Sequence, residues 1–181
     1  MDVEITNIKV SIKIHLQSLD SVEDKLRYSS YKYKKYNNFI VFRDRFVYTV
    51  FRAGSKVLNH VNITKIKNFN EIEESIISLR DIGLVADRSS MKIDNITGSI
   101  DLKKEIHIEN LINSIRTSKD RNFKSIKITY NNEKFPGVFL KQVRVGTIII
   151  FYSGKVVLVG CKTREDLECL ASLTHVLTKI I

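Results

Sequence analysis

Four histidines, two cysteines and a few adjacent carboxylates are the residues that could carry catalysis or hold a metal. His15, His60, His107 and His175 stand far apart, and none has ligand spacing with Cys161 or Cys169. They are expected as surface or core residues. Ser153-Gly154-Lys155 has the look of the end of a phosphate loop. Its upstream glycine, Gly146, is at the wrong spacing, and the surrounding pattern is strand, turn, strand. Cys161 lies in an apolar strand, which suits packing rather than nucleophilic attack. Glu73 and Glu74 fall on a helical surface, where water solvates them. These residues build no catalytic constellation, so the chain is expected to be no enzyme and to use no cofactor or metal. Two cysteines cannot make a disulfide framework, and a reducing compartment is the default.

The chemistry therefore has to come from surfaces. Thirty Lys and Arg against twenty Asp and Glu give the 181 residues a net charge of +10 and a pI near 9.6. Residues 1–90 hold 15 basic and 11 acidic groups, and residues 91–181 hold 15 and 9, so the basicity belongs to the folded body rather than to a tail. Such a body favours polyanions, nucleic acid first and an anionic membrane surface second. No apolar run approaches the roughly 20 residues that span a bilayer. The start, MDVEITNIKV, lacks the basic and apolar regions of a secretory signal. The 43% hydrophobic content is that of a globular protein, of one domain or two small halves.

The elements that must position such a surface follow from periodicity. Residues 4–16 alternate, with Ile8, Val10, Ile12 and Ile14 on one face and Asn7, Lys9, Ser11 and Lys13 on the other. Residues 20–28 suit a short helix capped by Asp20 or Ser18. Three short strands are expected over 39–42, 46–51 and 56–61. A helix then follows, capped by Asn68 or Asn70, with Ile72, Ile76, Ile77 and Leu79 on one face. The second half reads in the same order: a strand over 91–102, a helix over 106–115, strands over 123–130, 138–144, 147–152 and 156–161, and a helix over 164–180.

This order is an internal repeat. Asn7-Ile8-Lys9-Val10-Ser11-Ile12 matches Asn95-Ile96-Thr97-Gly98-Ser99-Ile100 at an offset of 88. Tyr31 and Tyr36 match Tyr130 and Phe135 at an offset of 99, and Phe51-Arg52-Ala53-Gly54 matches Phe151-Tyr152-Ser153-Gly154 at 100. Eleven extra residues (99 − 88) are expected in the second half, and the exposed basic stretch 117–124 is the candidate. Two repeats, 1–88 and 89–181, would form one pseudo-twofold molecule.

The stretch Tyr130-Asn-Asn-Glu-Lys-Phe-Pro-Gly-Val-Phe-Leu-Lys, followed by Ile150-Phe-Tyr-Ser-Gly-Lys-Val-Val-Leu-Val-Gly-Cys-Lys, resembles the second repeat of the TATA-box-binding protein family. Met91-Lys-Ile-Asp-Asn-Ile-Thr-Gly-Ser is similar to that family's Lys-Ile-Gln-Asn-Met-Val-Gly-Ser strand, and Ile5-Thr-Asn-Ile to its first-repeat counterpart. The resemblance covers nearly the whole chain, is specific in the second repeat and weak in the first, and implies the family's core domain alone.

It implies an α+β saddle, in which two pseudo-symmetric repeats share one curved antiparallel sheet of about ten strands with helices on the convex side. The concave face would sit on the DNA minor groove. In that family, aromatic wedges unstack base steps at a few kcal/mol each and bend the duplex. Phe135 and Phe151 match the wedges of the second repeat, and Phe51 and Tyr36 those of the first. Asn7 and Asn95 match the central asparagines, whose amides donate to adenine N3 and thymine O2. Ser11 and Ser99 lie further along the same faces. Lys141, Arg144, Lys155 and Lys162 match phosphate-gripping positions or lie beside them.

Departures accompany the match. Lys9 and Thr97 stand where the family has valine, Asn59 and Val159 where it has a groove-facing threonine, and Gly54-Ser55 where it has Gly-Lys. These substitutions put a strict TATA preference in question and leave AT-rich binding in place. At the loop that in the family contacts transcription factor IIB, the chain reads Asn131, Glu133 and Lys134, of which Glu133 alone is kept. The expectation is a transcription initiation factor that binds and bends AT-rich promoter DNA. It would engage a factor IIB-like protein and RNA polymerase machinery, without a membrane, in the nucleus or, for a viral chain, in a viral factory or virion. Two other readings stay open: a saddle that has lost bending and serves as a protein scaffold, and an RNA- or hybrid-binding accessory domain.

Overall fold

The computed structural model describes residues 2–15, 18–51 and 58–180. The chain runs β1 (Glu4–His15), α1 (Leu19–Arg27), β2 (Lys32–Lys35), β3 (Phe39–Arg43), β4 (Val47–Phe51), β5 (Leu58–Ile66) and α2 (Asn70–Asp81). It continues with β6 (Val85–Asp101), α3 (Ile108–Thr117), β7 (Ile126–Asn131), β8 (Phe135–Gln142), β9 (Gly146–Phe151), β10 (Lys155–Cys161) and α4 (Arg164–Leu177). The strand order is β2-β3-β4-β5-β1-β6-β10-β9-β8-β7. The fold class is the expected α+β, with ten strands and four α-helices among the described residues. Contacts divide the chain into two compact units. Asn7–Asp94 makes one, and the start of the chain through Thr6 joins the segment from Asn95 onward in the other. Residue 88 falls inside β6, six positions before that division.

In the unit Asn7–Asp94, alternation decides which side of each strand is covered. Ile8, Val10, Ile12 and Ile14 of β1 are buried together with Ile40 and Phe42 of β3, Tyr48 and Val50 of β4, and Val61 and Ile63 of β5. Leu19, Val22 and Leu26 of α1 and Ile72, Ile76 and Leu79 of α2 are buried with them. Ser18 caps α1 through its side chain, and Asn68 Oδ1 accepts the Glu71 N–H one turn ahead of α2. The Tyr48 ring stacks on Phe42 at 4.7 Å. Its hydroxyl donates to the Ser75 carbonyl at 3.1 Å, so the buried phenol is satisfied, and burial pushes its pKa up.

The other unit is built the same way. Ile96 and Ile100 of β6, Val156 and Leu158 of β10, Ile148 and Ile150 of β9, and Val138 and Leu140 of β8 are buried with Leu111 and Ile115 of α3 and Leu167, Leu170 and Leu177 of α4. Thr163 and Asp166 form a capping box that starts α4 sharply.

The elements differ from expectation in several places. Strand β2 was not expected, because all four of its residues are exposed and carry no apolar alternation. Strand β5 continues to Ile66, while Lys56 lies outside the described residues. Strand β6 begins at Val85 through a polar run, and β8 begins at Phe135, including Pro136. Ile77 is 46% exposed and off the apolar face of α2. Residues 117–124 are not simply an exposed loop: Thr117 ends α3, and Arg121–Phe123 forms a short 3-10 turn that buries Phe123. The extra residues are not one insertion either. Eight residues join α3 to β7 against four joining α1 to β2, and six join β6 to α3 against three joining β1 to α1.

Candidate nucleic-acid interface

Each unit leaves one face of its strands free of helices. In the unit Asn7–Asp94 that face carries Asn7, Lys9 and Ser11 on β1, Thr64 on β5, Phe51 on β4 and Phe39 on β3, all partly exposed or exposed. In the other it carries Asn95, Thr97 and Ser99 on β6, Lys155 and Val159 on β10, Phe151 on β9, and Phe135 and Lys141 on β8.

The two asparagines are held alike. Asn7 Oδ1 accepts the backbone N–H of Lys65 at 2.8 Å. Asn95 Oδ1 accepts the backbone N–H of Gly160 at 2.7 Å. Lys65 has φ 67° and Gly160 has φ 86°, and each sits in a β-bulge where the pairing register slips by one or more residues. An N–H can be received only by the amide oxygen, so the flip of each amide is fixed and each –NH2 is turned away from the bulge. The Asn95 Nδ2 also donates to Thr97 Oγ1 at 2.9 Å.

This equivalence corrects one sequence match. If Lys65 corresponds to Gly160, the counterpart of Val159-Gly160-Cys161-Lys162 is Thr64-Lys65-Ile66-Lys67. The surroundings agree: the Lys67 N–H reaches the Glu71 carboxylate at 2.7 Å, as the Lys162 N–H reaches Asp166 at 2.9 Å. Thr64, not Asn59, therefore stands opposite Val159 in the repeat. Asn59 pairs in register with Ile14, and its side chain lies outside the described residues, as does Gly54-Ser55. The sequence match failed because a lysine replaces the expected glycine and the segment between β4 and that bulge is longer.

The aromatic groups cluster in pairs. Phe135 and Phe151 have ring centroids 5.6 Å apart, and Phe135 lies 5.0 Å from Phe139. Gly137 makes room for them: a Cβ there would stand 2.8 Å from Phe135, 3.0 Å from Ile149 and 3.1 Å from Phe151. In the other unit Phe51 lies 5.8 Å from Phe39, which stacks on Tyr36 at 4.4 Å. Phe39, which sequence reasoning missed, is thus the neighbour of Phe51, with Tyr36 stacked outside it. Phe51, Tyr36 and Phe135 are between 37% and 40% exposed, a high value for rings with apolar neighbours.

The turn after Phe151 is braced. Leu102 donates to the Gly154 carbonyl and Ile106 to that of Tyr152. Tyr152 Oη donates to Glu105 at 2.6 Å. Gly154 has φ 79°, and a Cβ there would meet the Lys104 carbonyl at 2.0 Å. Ser153-Gly154-Lys155 is a tight hairpin turn between β9 and β10.

Basic groups line the outer strands. Lys32 of β2 lies directly opposite Arg43 of β3, and Lys127 of β7 directly opposite Lys141 of β8. Like charges facing each other across a ladder are unfavourable, and among the described residues none of the four joins an ion pair. Lys32, Arg43 and Lys127 lay outside the sequence reading, although the +10 charge pointed to such groups. Arg144 occupies the β8–β9 turn with φ 67°, and Lys162 is exposed just beyond β10. Asn131, Glu133 and Lys134 form the exposed β7–β8 turn, where Asn131 Oδ1 accepts the Glu133 N–H at 3.2 Å. Acidity enters the free face at Asp94, whose carboxylate contacts Lys9 Nζ at 3.4 Å and accepts from Ser11 Oγ at 3.1 Å.

All four histidines are exposed, and Cys161 is buried, its thiol pushed up to about 11 by burial.

Comparison with known proteins decides the family. The family described as transcription factor TFIID, or TATA-binding protein, matches residues 90–180, half of the chain. The chain belongs to the TATA-binding protein family. A TBP-related factor of Drosophila melanogaster is 27% identical over 187 residues, covering 97% of this chain and 76% of that protein. A TATA-box-binding protein of Methanothrix thermoacetophila is 28% identical over 178 residues, covering 92% and 89%. The Methanococcus jannaschii TBP structure superposes with a TM-score of 0.67 at 26% identity, covering 99% of this chain and 98% of that one. The fold is that of TATA-binding proteins, and family membership carries a role in transcription initiation.

Proposed function

We propose that this TATA-binding protein family member binds AT-rich promoter DNA in the minor groove and bends it. The observation that carries the reading is the matched pair Asn7–Lys65 and Asn95–Gly160, which ties each amide oxygen and presents each –NH2. A·T pairs offer only acceptors in the minor groove, adenine N3 and thymine O2, so a row of fixed donors suits them. Phe135 with Phe151, and Phe51 with Phe39 and Tyr36, are partly exposed ring clusters suited to entering base steps. The opposed pairs Lys32/Arg43 and Lys127/Lys141, with Arg144, Lys155 and Lys162, supply phosphate contacts, and a bound phosphate relieves their mutual repulsion. Ser11, Ser99, Thr97, Thr64 and Val159 complete the floor, with Lys9 beside them.

The β7–β8 turn with Asn131, Glu133 and Lys134 is the surface we assign to a factor IIB-like partner, through which polymerase is recruited. The site of action is that of the transcription machinery, in the nucleus or, for a viral chain, a viral factory. With Thr64 in the place first matched to Asn59, a threonine returns to the floor of the unit Asn7–Asp94.

The test is a fluorescence anisotropy titration of AT-rich and GC-rich duplexes, with Phe135→Ala/Phe151→Ala beside the unchanged protein. The reading expects AT-selective binding, with the double variant dissociating faster while its association rate stays close to the original. Equal affinity for both duplexes would contradict it.

A further inference from the structure

The free faces of the two units are not chemically equal, and the difference centres on Asp94. Aligning Asn7 with Asn95 through their matching bulge contacts makes Thr6 the counterpart of Asp94, Thr97 that of Lys9 and Ser99 that of Ser11. One unit therefore carries hydroxyls at these places, with Thr6 Oγ1 donating to the Thr97 carbonyl at 3.2 Å. The other carries a lysine, a carboxylate and a serine joined to one another. Asp94 Oδ1 accepts from Ser11 Oγ, and Oδ2 faces Lys9 Nζ at 3.4 Å. The Asp94 side chain keeps 34% of its surface exposed.

An ionised carboxylate has about four lone-pair sites and donates nothing. Ser11 and Lys9 engage one oxygen each, which leaves acceptor capacity on a side chain that is 34% exposed. Adenine N3 and thymine O2 are acceptors and can give Asp94 no hydrogen bond. The guanine N2 amine is the one donor that a base pair presents in the minor groove. Lys9 offsets the charge that would otherwise repel phosphates, and Ser11 holds the carboxylate in place.

Resting on the minor-groove reading proposed above, we infer that Asp94, positioned by Lys9 and Ser11, accepts a hydrogen bond from guanine N2. It thereby favours a G·C pair at one position of an otherwise AT-rich site. The hydroxyls of the other unit create no such preference.

Inosine supplies the test, because an inosine·C pair lacks only the N2 amine. A series of AT-rich duplexes with one pair at a time replaced by G·C or by inosine·C is titrated with the unchanged protein, Asp94→Thr and Lys9→Thr/Asp94→Thr. At ordinary positions the N2 amine obstructs a donor-lined floor, so inosine·C binds better than G·C. At the position facing Asp94 the order inverts, with G·C about tenfold tighter, the size of one good base contact. Asp94→Thr loses the inversion while still binding the parent duplex, which also reports that it is folded, and the double variant loses the inversion too. Binding of the parent duplex with no inversion anywhere would overturn the inference and leave the minor-groove reading standing. An inversion that persists in both variants would remove Asp94 from the role. No binding of the parent duplex by the unchanged protein would overturn the minor-groove reading itself.

Discussion

Asn7 Oδ1 receives the backbone N–H of Lys65 at 2.8 Å, across a β-bulge in which Lys65 adopts φ 67°. The contact ties the asparagine to the fold through its oxygen and leaves its nitrogen for a ligand. Asn7→Asp and Asn95→Asp separate those two roles, because aspartate still receives the N–H but offers no donor. Each is expected to hold thermal stability within about 0.5 kcal/mol, the range of a surface change. Each should weaken AT-rich duplex binding by about 1–3 kcal/mol. Parallel melting and anisotropy titrations check both.

Gly137 is predicted to control the wedge geometry. Its missing Cβ is the space that Phe135, Ile149 and Phe151 occupy at 2.8–3.1 Å. Gly137→Ala should cost about 1–3 kcal/mol of stability through overpacking. In folded protein it should lower the bend angle more than it lowers affinity. Unchanged bending would separate the ring pair from the bend.

The opposed pairs Lys32/Arg43 and Lys127/Lys141 predict a particular salt response. Affinity should fall with a log–log slope of about −0.9 per phosphate contact. Lys127→Ala or Lys32→Ala should each reduce that slope by about one contact, uniformly across sequences. Neither should destabilise the free protein, because each removes a like-charge contact. Titration at several salt concentrations and a melting curve check the pair of expectations.

Glu71 predicts the acid limb of stability in the unit Asn7–Asp94. The Lys67 backbone N–H, then the Arg45 guanidinium, holds its carboxyl below the ordinary range. A carboxylate with a depressed folded pKa stabilises fully above its unfolded value and loses that contribution as pH falls through the folded one. Glu71→Gln should therefore melt below the unchanged protein at neutral pH, and the gap should close in acid. A gap that stayed constant with pH would contradict the assignment.

How much the sequence revealed varies from element to element. Strand β1 was legible because one side of it packs under helices, so Ile8, Val10, Ile12 and Ile14 alternate with Asn7, Lys9 and Ser11. The second unit was legible through Phe135-Pro136-Gly137 and Ser153-Gly154-Lys155, where ring packing and a positive φ demand glycine. The same bulge in the first unit was hidden because Lys65 takes the left-handed conformation that Gly160 takes in the second. Strand β2 gave no periodic signal, since it is an exposed edge. Phe39 escaped notice because β3 is shorter than β8, which moves the ring beside Phe51 three residues past Tyr36. Asp94 escaped because its meaning depends on Lys9 and Ser11, which only strand pairing brings to it.

The central claim is that the two free faces bind and bend AT-rich DNA. Fluorescence energy transfer between dyes on the two ends of a short duplex measures it most directly, with AT-rich and GC-rich duplexes compared at two salt concentrations. The account predicts a large rise in transfer on the AT-rich duplex, weakened at high salt and reduced in Phe135→Ala/Phe151→Ala. Binding without any change in transfer, or equal bending of both duplexes, would contradict it.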